Sequence, residues 1–330
     1  MATILAPGRV TLDVRLLPGD LEGALRRDAR VGLCTTPKSM PPVWFYDDRG
    51  SALYEDITRL PEYYPFRTEA ALLRRAAGEI AEAAEARVLV ELGSGTSEKA
   101  RLLLGAMASA GAGLDGYVPF DVSEATLLAA AGAIAADLGI GVHGVVGDFH
   151  EHLDGIPDLG EPRLVAFLGS TIGNFAPDQR RRFLAELRGV LDGSDRFLLA
   201  TDLVKDAGRL VSAYDDARGV TAEFNRNLLH VLNRELDADF VPERFAHVAV
   251  WDPDERWIEM RLRATEAMSV RLAAIDMTVR FAADEEMRTE VSAKFTPERV
   301  RSELAATGFE VTGFWTDPQS DYLLTLARPA

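Results

Sequence analysis

Residues 88–99 read Val-Leu-Val-Glu-Leu-Gly-Ser-Gly-Thr-Ser-Glu-Lys: an apolar run, then a Gly-x-Gly, then the opening of a helical pattern. Gly93 and Gly95 allow the backbone to turn tightly and to approach a ligand closely. A dinucleotide-binding loop needs a third glycine at position 98, where Glu98 stands. A carboxylate beside a pyrophosphate at a helix N-terminus would oppose the phosphate charge. NAD and FAD are therefore disfavoured, and a ligand with no phosphate is preferred. Taken alone, a Gly-x-Gly after a strand is more often only a turn, so the rest of the chain has to decide.

The same texture repeats on either side. Residues 87–92, 116–120, 141–146, 163–168 and 196–200 are short apolar runs that end at Gly, Asp, Ser or Thr. Helical patterns cover 69–86, 97–110, 124–138 and 177–191. Apolar strands alternating with amphipathic helices predict an α/β fold with a parallel sheet covered on both faces. Right-handed crossovers would place every strand's carboxyl end on one edge, where ligands of open α/β sheets bind. Two regions break the alternation. Residues 36–67 are rich in aromatics and in prolines (37, 41, 42, 61 and 65), which predicts turns rather than long regular elements. Beyond Thr201, residues 205–236 read as helical with Gly208 and Gly219 as interruptions, and 246–264 and 268–295 alternate with period two. The chain closes with a helix at 297–307 and strands at 309–315 and 322–327, a terminal hairpin.

The strand ends carry a consistent chemistry. Asp121 closes the second strand, where a carboxylate can accept from both hydroxyls of a ribose; bonds to a charged acceptor are worth about 1.5–3 kcal/mol each. Asp148 and Phe149 close the third, offering an acceptor for an adenine amine and a ring beside the base. Gly169 to Asn174 close the fourth, where a methyl acceptor would lie. Either aspartate alone would read as a helix N-cap. In register, the four ends describe a site for S-adenosylmethionine (SAM): adenosine, a sulfonium and an amino-acid tail, with no phosphate. Lys99 is either a partner for that tail's carboxylate or a solvated helix residue.

Charge and composition narrow the partners. Lys plus Arg is 36 and Asp plus Glu is 52, so the net charge is 36 − 52 = −16. Such a surface disfavours nucleic acid and anionic membranes as partners and suits a cationic ligand, although excess acid commonly serves solubility alone. Cys34 is the lone cysteine, so no internal disulfide or cysteine-based zinc cluster is possible, which fits a cytoplasmic protein. Residues 1–17 lack the apolar core of a signal peptide, and the longest apolar run, 127–136, is too short to span a bilayer. His150 and His152 form His-Glu-His rather than the i, i+4 pair of a helical zinc site, and all five histidines read as structural or surface residues. No metal is expected.

Several blocks occur together in order: Thr36-Pro37-Lys38-Ser39, Trp44-Phe45-Tyr46-Asp47, 58–65 (Thr-Arg-Leu-Pro-Glu-Tyr-Tyr-Pro), 91–99, 167–174 (Phe-Leu-Gly-Ser-Thr-Ile-Gly-Asn), 201–206 and Glu290-Val291-Ser292. With them the chain, from about Leu21 onward, resembles the L-histidine Nα-methyltransferase family of ergothioneine biosynthesis, actinobacterial type. The resemblance implies a class I SAM-dependent methyltransferase fold, Rossmann-like, formed by 67–204 and 294–330. It also implies a discontinuous α+β substrate domain, 1–66 with 205–293, capping the strand ends. Family contacts to SAM fall on Tyr46, Gly93, Lys99, Asp121, Asp148 and Phe149, which resolves Lys99 in favour of function. Family contacts to histidine fall on Tyr63, Asn174, Tyr214, Glu290 and Ser292, with Gly169 and Met260 lining the pocket. Tyr46 is the candidate proton acceptor. The implied reaction is trimethylation of the α-amine of free L-histidine to hercynine, by a monomer acting on a small molecule. The competing reading within the family is another amino acid or biogenic amine as acceptor. Without the resemblance, Tyr63 and Tyr214 read as packing aromatics and Glu290 as a surface acid.

Overall fold

A computed structural model describes residues 8–17 and 19–330. In chain order the elements begin with β1 (Val10–Val14), α1 (Asp20–Gly32), β2 (Lys38–Ser39), α2 (Asp48–Thr58) and α3 (Tyr64–Ala84). The alternating stretch follows: β3 (Val88–Leu92), α4 (Ala100–Ser109), β4 (Gly116–Asp121), α5 (Glu124–Leu138), β5 (Gly141–Val146), β6 (Arg163–Phe167), α6 (Pro177–Val190) and β7 (Arg196–Asp202). Then come α7 (Ala207–Tyr214), α8 (Val220–Leu236), β8 (Phe245–Asp252), β9 (Trp257–Ala264), β10 (Met268–Leu272), β11 (Met277–Phe281) and β12 (Glu286–Ala293). The chain ends with α9 (Pro297–Ala306), β13 (Phe309–Thr316) and β14 (Tyr322–Pro329). Two compact units result: one of 8–17, Arg67–Leu203 and Phe295–Ala330, the other of 19–66 and Val204–Lys294.

The first unit is built on one sheet of order β1-β5-β4-β3-β6-β7-β14-β13. Strands β1 and β3 to β7 run parallel, while β14 is antiparallel to β7 and to β13. Every side chain of β3 and β6 is buried, as a sheet covered on both faces requires. Leu89, Leu103, Leu127, Leu164, Leu198 and Leu324 meet in its core. Such leucines contribute about 1.5–3 kcal/mol each when fully buried. The fold is therefore the expected mainly parallel α/β sheet with a C-terminal antiparallel hairpin, the architecture that the resemblance implies.

Three expectations are corrected. Residues 10–14, expected in the substrate domain, form β1 and pair in parallel with β5 from Val10↔Val142 to Val14↔Val146. Their alternating apolar side chains, Val10 and Leu12, pack onto the first core. The proline-rich stretch 36–67 holds an 11-residue helix, α2, because Asp47 caps it by accepting from the Gly50 N–H at 2.8 Å. Pro65 lies in the first turn of α3, where its missing N–H costs no helical bond. The helix expected from Ser97 begins at Ala100, since Ser97 takes φ 56°, a left-handed value that interrupts the helix.

The second unit pairs β2-β12-β9-β8 in one sheet and β10 with β11 in a separate hairpin. The period-two pattern is realised in β9: Ile258, Met260, Leu262 and Ala264 are buried, while Arg261 and Arg263 face outward to Glu286. Helix α8 buries Phe224, Leu228, Leu232 and Leu236, a stripe at four-residue spacing, in the core of this unit.

The docking of β1 leaves little room at Gly144 in β5. A Cβ there would lie 2.4 Å from Leu127 Cδ2 and 2.9 Å from Leu12 Cδ1. Gly144→Ala is expected to destabilise the protein by about 1–3 kcal/mol through overpacking, measured by urea unfolding. Unchanged stability would mean that Leu12 does not press on β5.

Candidate functional site

In the first unit, the carboxyl ends of β3 to β6 bring together the candidate cofactor residues. The loop after β3 turns through Gly93 (φ 69°), Gly95 (φ 48°) and Ser97 (φ 56°). Its shape is fixed from the neighbouring strand: Asp121 Oδ2 accepts the Gly95 N–H at 2.8 Å, and Oδ1 accepts the Ser123 N–H at 3.0 Å. Burial raises the Asp121 pKa, and those backbone donors oppose the rise. Phe149 lies against the loop, its Cε1 3.5 Å from where a Gly93 Cβ would be, and its ring packs on Phe167 at 5.4 Å. Asp148 Oδ1 accepts the His150 N–H at 2.8 Å, so this carboxylate shapes its own turn.

Below the loop, Glu91 in β3 is buried, and its pKa is pushed up to about 8, by burial first, against the lowering effect of the Tyr117 hydrogen bond and Lys99. Tyr117 Oη is 2.6 Å from Glu91 Oε2 and 2.8 Å from Ser97 Oγ. These two contacts tie the left-handed Ser97 to the strand.

Lys99 is held by a residue that sequence reading missed. Glu69, 1% exposed in α3, accepts from Lys99 Nζ at 2.6 Å and from the Gly169 N–H at 2.7 Å. One carboxylate thereby fixes the lysine after β3 and the backbone after β6. Gly169 has φ 76°, and a Cβ there would come within 3.4 Å of Lys99 Nζ. Asn174 follows in a 3₁₀ turn, Thr171–Asn174, whose preceding Ser170 accepts the Asp202 N–H at 2.9 Å. Nothing local in sequence links Glu69 to Gly169, one hundred residues away.

In the second unit, Tyr46, Tyr63 and Tyr214 are joined through Tyr54, another residue missed. Ring centroids are 5.7 Å apart for Tyr46–Tyr54, 6.3 Å for Tyr54–Tyr63 and 6.2 Å for Tyr63–Tyr214, all edge to face. Burial raises the Tyr63 pKa well above its ordinary value, with Tyr54 and Tyr214 adding to it. Tyr46 is shifted the same way by burial of its surroundings, then by Tyr54, Glu290 and Tyr214, although the residue as a whole is 47% exposed.

Glu290, Ser292 and Met260 are brought together by a β-bulge. The register runs Arg288↔Arg261 and then Glu290↔Met260, leaving Thr289 as the extra residue. In unbroken alternation Glu290 would share the face of Arg288, which pairs outward with Glu259 at 3.1 Å. The bulge turns Glu290 to the opposite face, with Met260 and Ser292. Buried Thr289 pins the bulge by donating to Asn225 Oδ1 at 2.6 Å, with the Met260 carbonyl oxygen 3.0 Å away. Asn225 Nδ2 lies 2.8 Å from His247 Nδ1, whose Nε2 is 2.8 Å from the Tyr214 carbonyl oxygen. That geometry suits a neutral His247 protonated on Nε2, and burial lowers its pKa accordingly. His247 is structural, as expected, but it joins the bulge to Tyr214, whose Oη is 2.8 Å from Ser292 Oγ. Lys294 also touches this cluster; the 290, 292, 294 alternation was the signal for it. No group of three or more His, Cys, Asp or Glu among the described residues could hold a metal ion.

Residues 25–329 match the family described as histidine-specific methyltransferase, SAM-dependent. The chain is 59% identical over 305 residues to the histidine N-alpha-methyltransferase of Mycolicibacterium smegmatis, spanning 92% of this chain and 94% of that protein. It is 56% identical over 305 residues to the protein of the same name from Mycobacterium tuberculosis, again 92% and 94%. A third relative, ergothioneine biosynthesis protein 1 of Neurospora crassa, is 32% identical over 201 residues, which are 60% of this chain and 23% of that protein.

The buried acid under the glycine loop makes stability depend on pH. The folded-state pKa of Glu91, about 8, lies above its ordinary 4.5. Its contribution is therefore fully present below about pH 4.5 and is lost as pH rises through about 8. Glu91→Gln is expected to gain in Tm relative to the parent as pH rises across that window. A Tm difference independent of pH would contradict a buried, protonated Glu91.

Proposed function

We propose that this chain, which belongs to the histidine-specific, SAM-dependent methyltransferase family, trimethylates the α-amino group of free L-histidine to hercynine, the first step of ergothioneine biosynthesis. SAM is its methyl donor. Bound SAM supplies an electrophilic methyl group on a sulfonium. The first unit's residues fit that ligand: the loop at Gly95 is open, with nothing within 4 Å of a notional Cβ, and the Asp121 carboxylate retains acceptor capacity for ribose. Phe149 offers a ring to the adenine, Asp148 an acceptor to its amine, and Lys99 a cation to the methionine carboxylate. Tyr46 is assigned to the cofactor from the family resemblance.

The observation that carries the substrate assignment is the bulge at Thr289, which sets an acid, Glu290, and a hydroxyl, Ser292, on one face beside Met260. Neutral imidazole has one N–H and one acceptor nitrogen, and this pair can bond both. Tyr63 and Tyr214 offer neutral polar groups to the amino-acid end. Gly169 and Asn174, at the end of β6, are assigned to the substrate from the resemblance. The attacking amine must be neutral, so the ammonium of free histidine has to give up a proton before the methyl is transferred. Holding the amine in line with the reacting bond supplies much of the acceleration. A tyrosine face such as Tyr46 tolerates the growing cation, worth about 0.5–2 kcal/mol. We place the enzyme in the cytoplasm as a monomer acting on a small molecule rather than on nucleic acid or a membrane. No helix among the described residues is long and apolar enough to cross a bilayer.

Incubation with SAM and a panel of free amino acids and amines, read by mass spectrometry, is expected to add three methyl groups to L-histidine alone. Methylation of another acceptor with none on histidine would reject the assignment. If Tyr46 accepts the amine proton, Tyr46→Phe lowers kcat with a changed pH profile; unchanged turnover at every pH would remove that role.

A further inference from the structure

Tyr46, assigned above to the cofactor, is 47% exposed. It lies between a 3₁₀ turn, Pro42–Phe45, and helix α2, with φ −92° and ψ 51°, values of neither helix nor strand. The chain on both sides of it is bonded from α8. Asn227 there is 0% exposed, and its Nδ2 donates to the Phe45 carbonyl oxygen at 3.1 Å and to Asp47 Oδ1 at 2.7 Å. Arg49 Nη1 donates to Asn227 Oδ1 at 3.1 Å. A carbonyl and a carboxylate accept and a guanidinium only donates, so these neighbours fix which way the amide faces. Burial pushes the Asp47 pKa up, but the Gly50 N–H, Arg234 and Asn227 outweigh it and leave the carboxyl below its ordinary value. Gly50 permits the close approach: a Cβ there would lie 1.6 Å from the Phe45 carbonyl oxygen and 2.9 Å from Asn227 Nδ2.

The ring is held from the same two helices. Phe224, one turn before Asn227 on α8, and Tyr54 on α2 meet the Tyr46 ring edge to face, with centroids 5.5 Å and 5.7 Å away. Stability alone does not call for this arrangement. Apolar contacts would join α2 to α8 without desolvating an amide, and ordering a half-exposed ring costs side-chain entropy. What a fixed, exposed ring gains is an orientation set before a ligand arrives, so that binding does not have to order it. We propose that Asn227 is a positioning residue that presets Tyr46 for the cofactor by holding the chain on both sides of it, at Phe45 and Asp47. The inference rests on the reading of Tyr46 as a SAM residue and adds the residue that enforces its placement.

The test joins nuclear magnetic relaxation to a double-mutant cycle, both on the full-length protein. In the ligand-free parent, the backbone order parameter of Tyr46 is expected to match those of α2 and α8, about 0.85. A Tyr46 value below that of the two helices overturns the proposal. In Asn227→Ala the value at Tyr46 is expected to fall below about 0.6 while α8 keeps its own. Calorimetry is expected to show SAM binding weakened at least about tenfold by Asn227→Ala, but less than about threefold when Tyr46 is already alanine. Equal losses in the two backgrounds, or unchanged SAM affinity in the folded variant, overturn the proposal. If Asn227→Ala does not fold, the order parameter of the parent decides. A Tyr46→Ala protein that binds SAM as tightly as the parent would overturn the cofactor reading of Tyr46 itself, whereas equal losses overturn only the role of Asn227.

Discussion

The arrangement of Glu290, Ser292 and Met260 in the second unit depends on one buried hydroxyl. Thr289 is the extra residue in β12, and its bond to Asn225 at 2.6 Å holds the bulge at that position rather than one residue earlier or later. Because side chains alternate with period two, a bulge one residue later would put Glu290 on the face of Arg261, Arg288 and Glu259. The pin continues through Asn225 and His247 to the backbone of Tyr214. A single buried network therefore sets both the acid and the tyrosine hydroxyl to which Ser292 is bonded. Buried polar networks of this kind specify one arrangement only when every member is paired, and leaving one unpaired costs about 1–3 kcal/mol.

The strand ends of the first unit use a similar device with a charge in place of the hydroxyl. Glu69 brings together the Lys99 ammonium and the Gly169 backbone at the ends of two strands, while Asp121 fixes the glycine loop from a third. A buried ion pair adds little net stability, since desolvation offsets most of the attraction. Its value here is geometric: Lys99 cannot swing into solvent without leaving the Glu69 carboxylate buried without that cation. Under the same loop Glu91 sits in a different electrostatic regime, protonated near neutral pH.

Local chemistry decided what could be read from the sequence. Strand–helix alternation and the Gly-x-Gly of 93–95 disclosed the parallel sheet, because covered strands must be apolar and tight turns need glycine. The strand-end acids Asp121 and Asp148 were visible for the same reason. Hidden from that reading were features created by distant pairing. Strand β1 joins β5 across more than a hundred residues, α2 lies between prolines that suggest turns, and Glu69 meets Gly169 only in the folded chain. The bulge was equally invisible. Glu290 and Ser292 share a face at a spacing of two, but which face they share depends on an irregularity that no periodicity announces. The substrate candidates came from the family resemblance, and for Glu290, Ser292 and Met260 the bulge is the physical reason that they share a face.

The most direct measurement is calorimetric binding of L-histidine and of SAM to Thr289→Val, which keeps the side chain's shape and removes its hydroxyl. If the pinned bulge aims Glu290 and Ser292, affinity for L-histidine falls by about tenfold or more while SAM affinity stays within about threefold of the parent. Undiminished L-histidine binding by the folded variant would contradict that dependence.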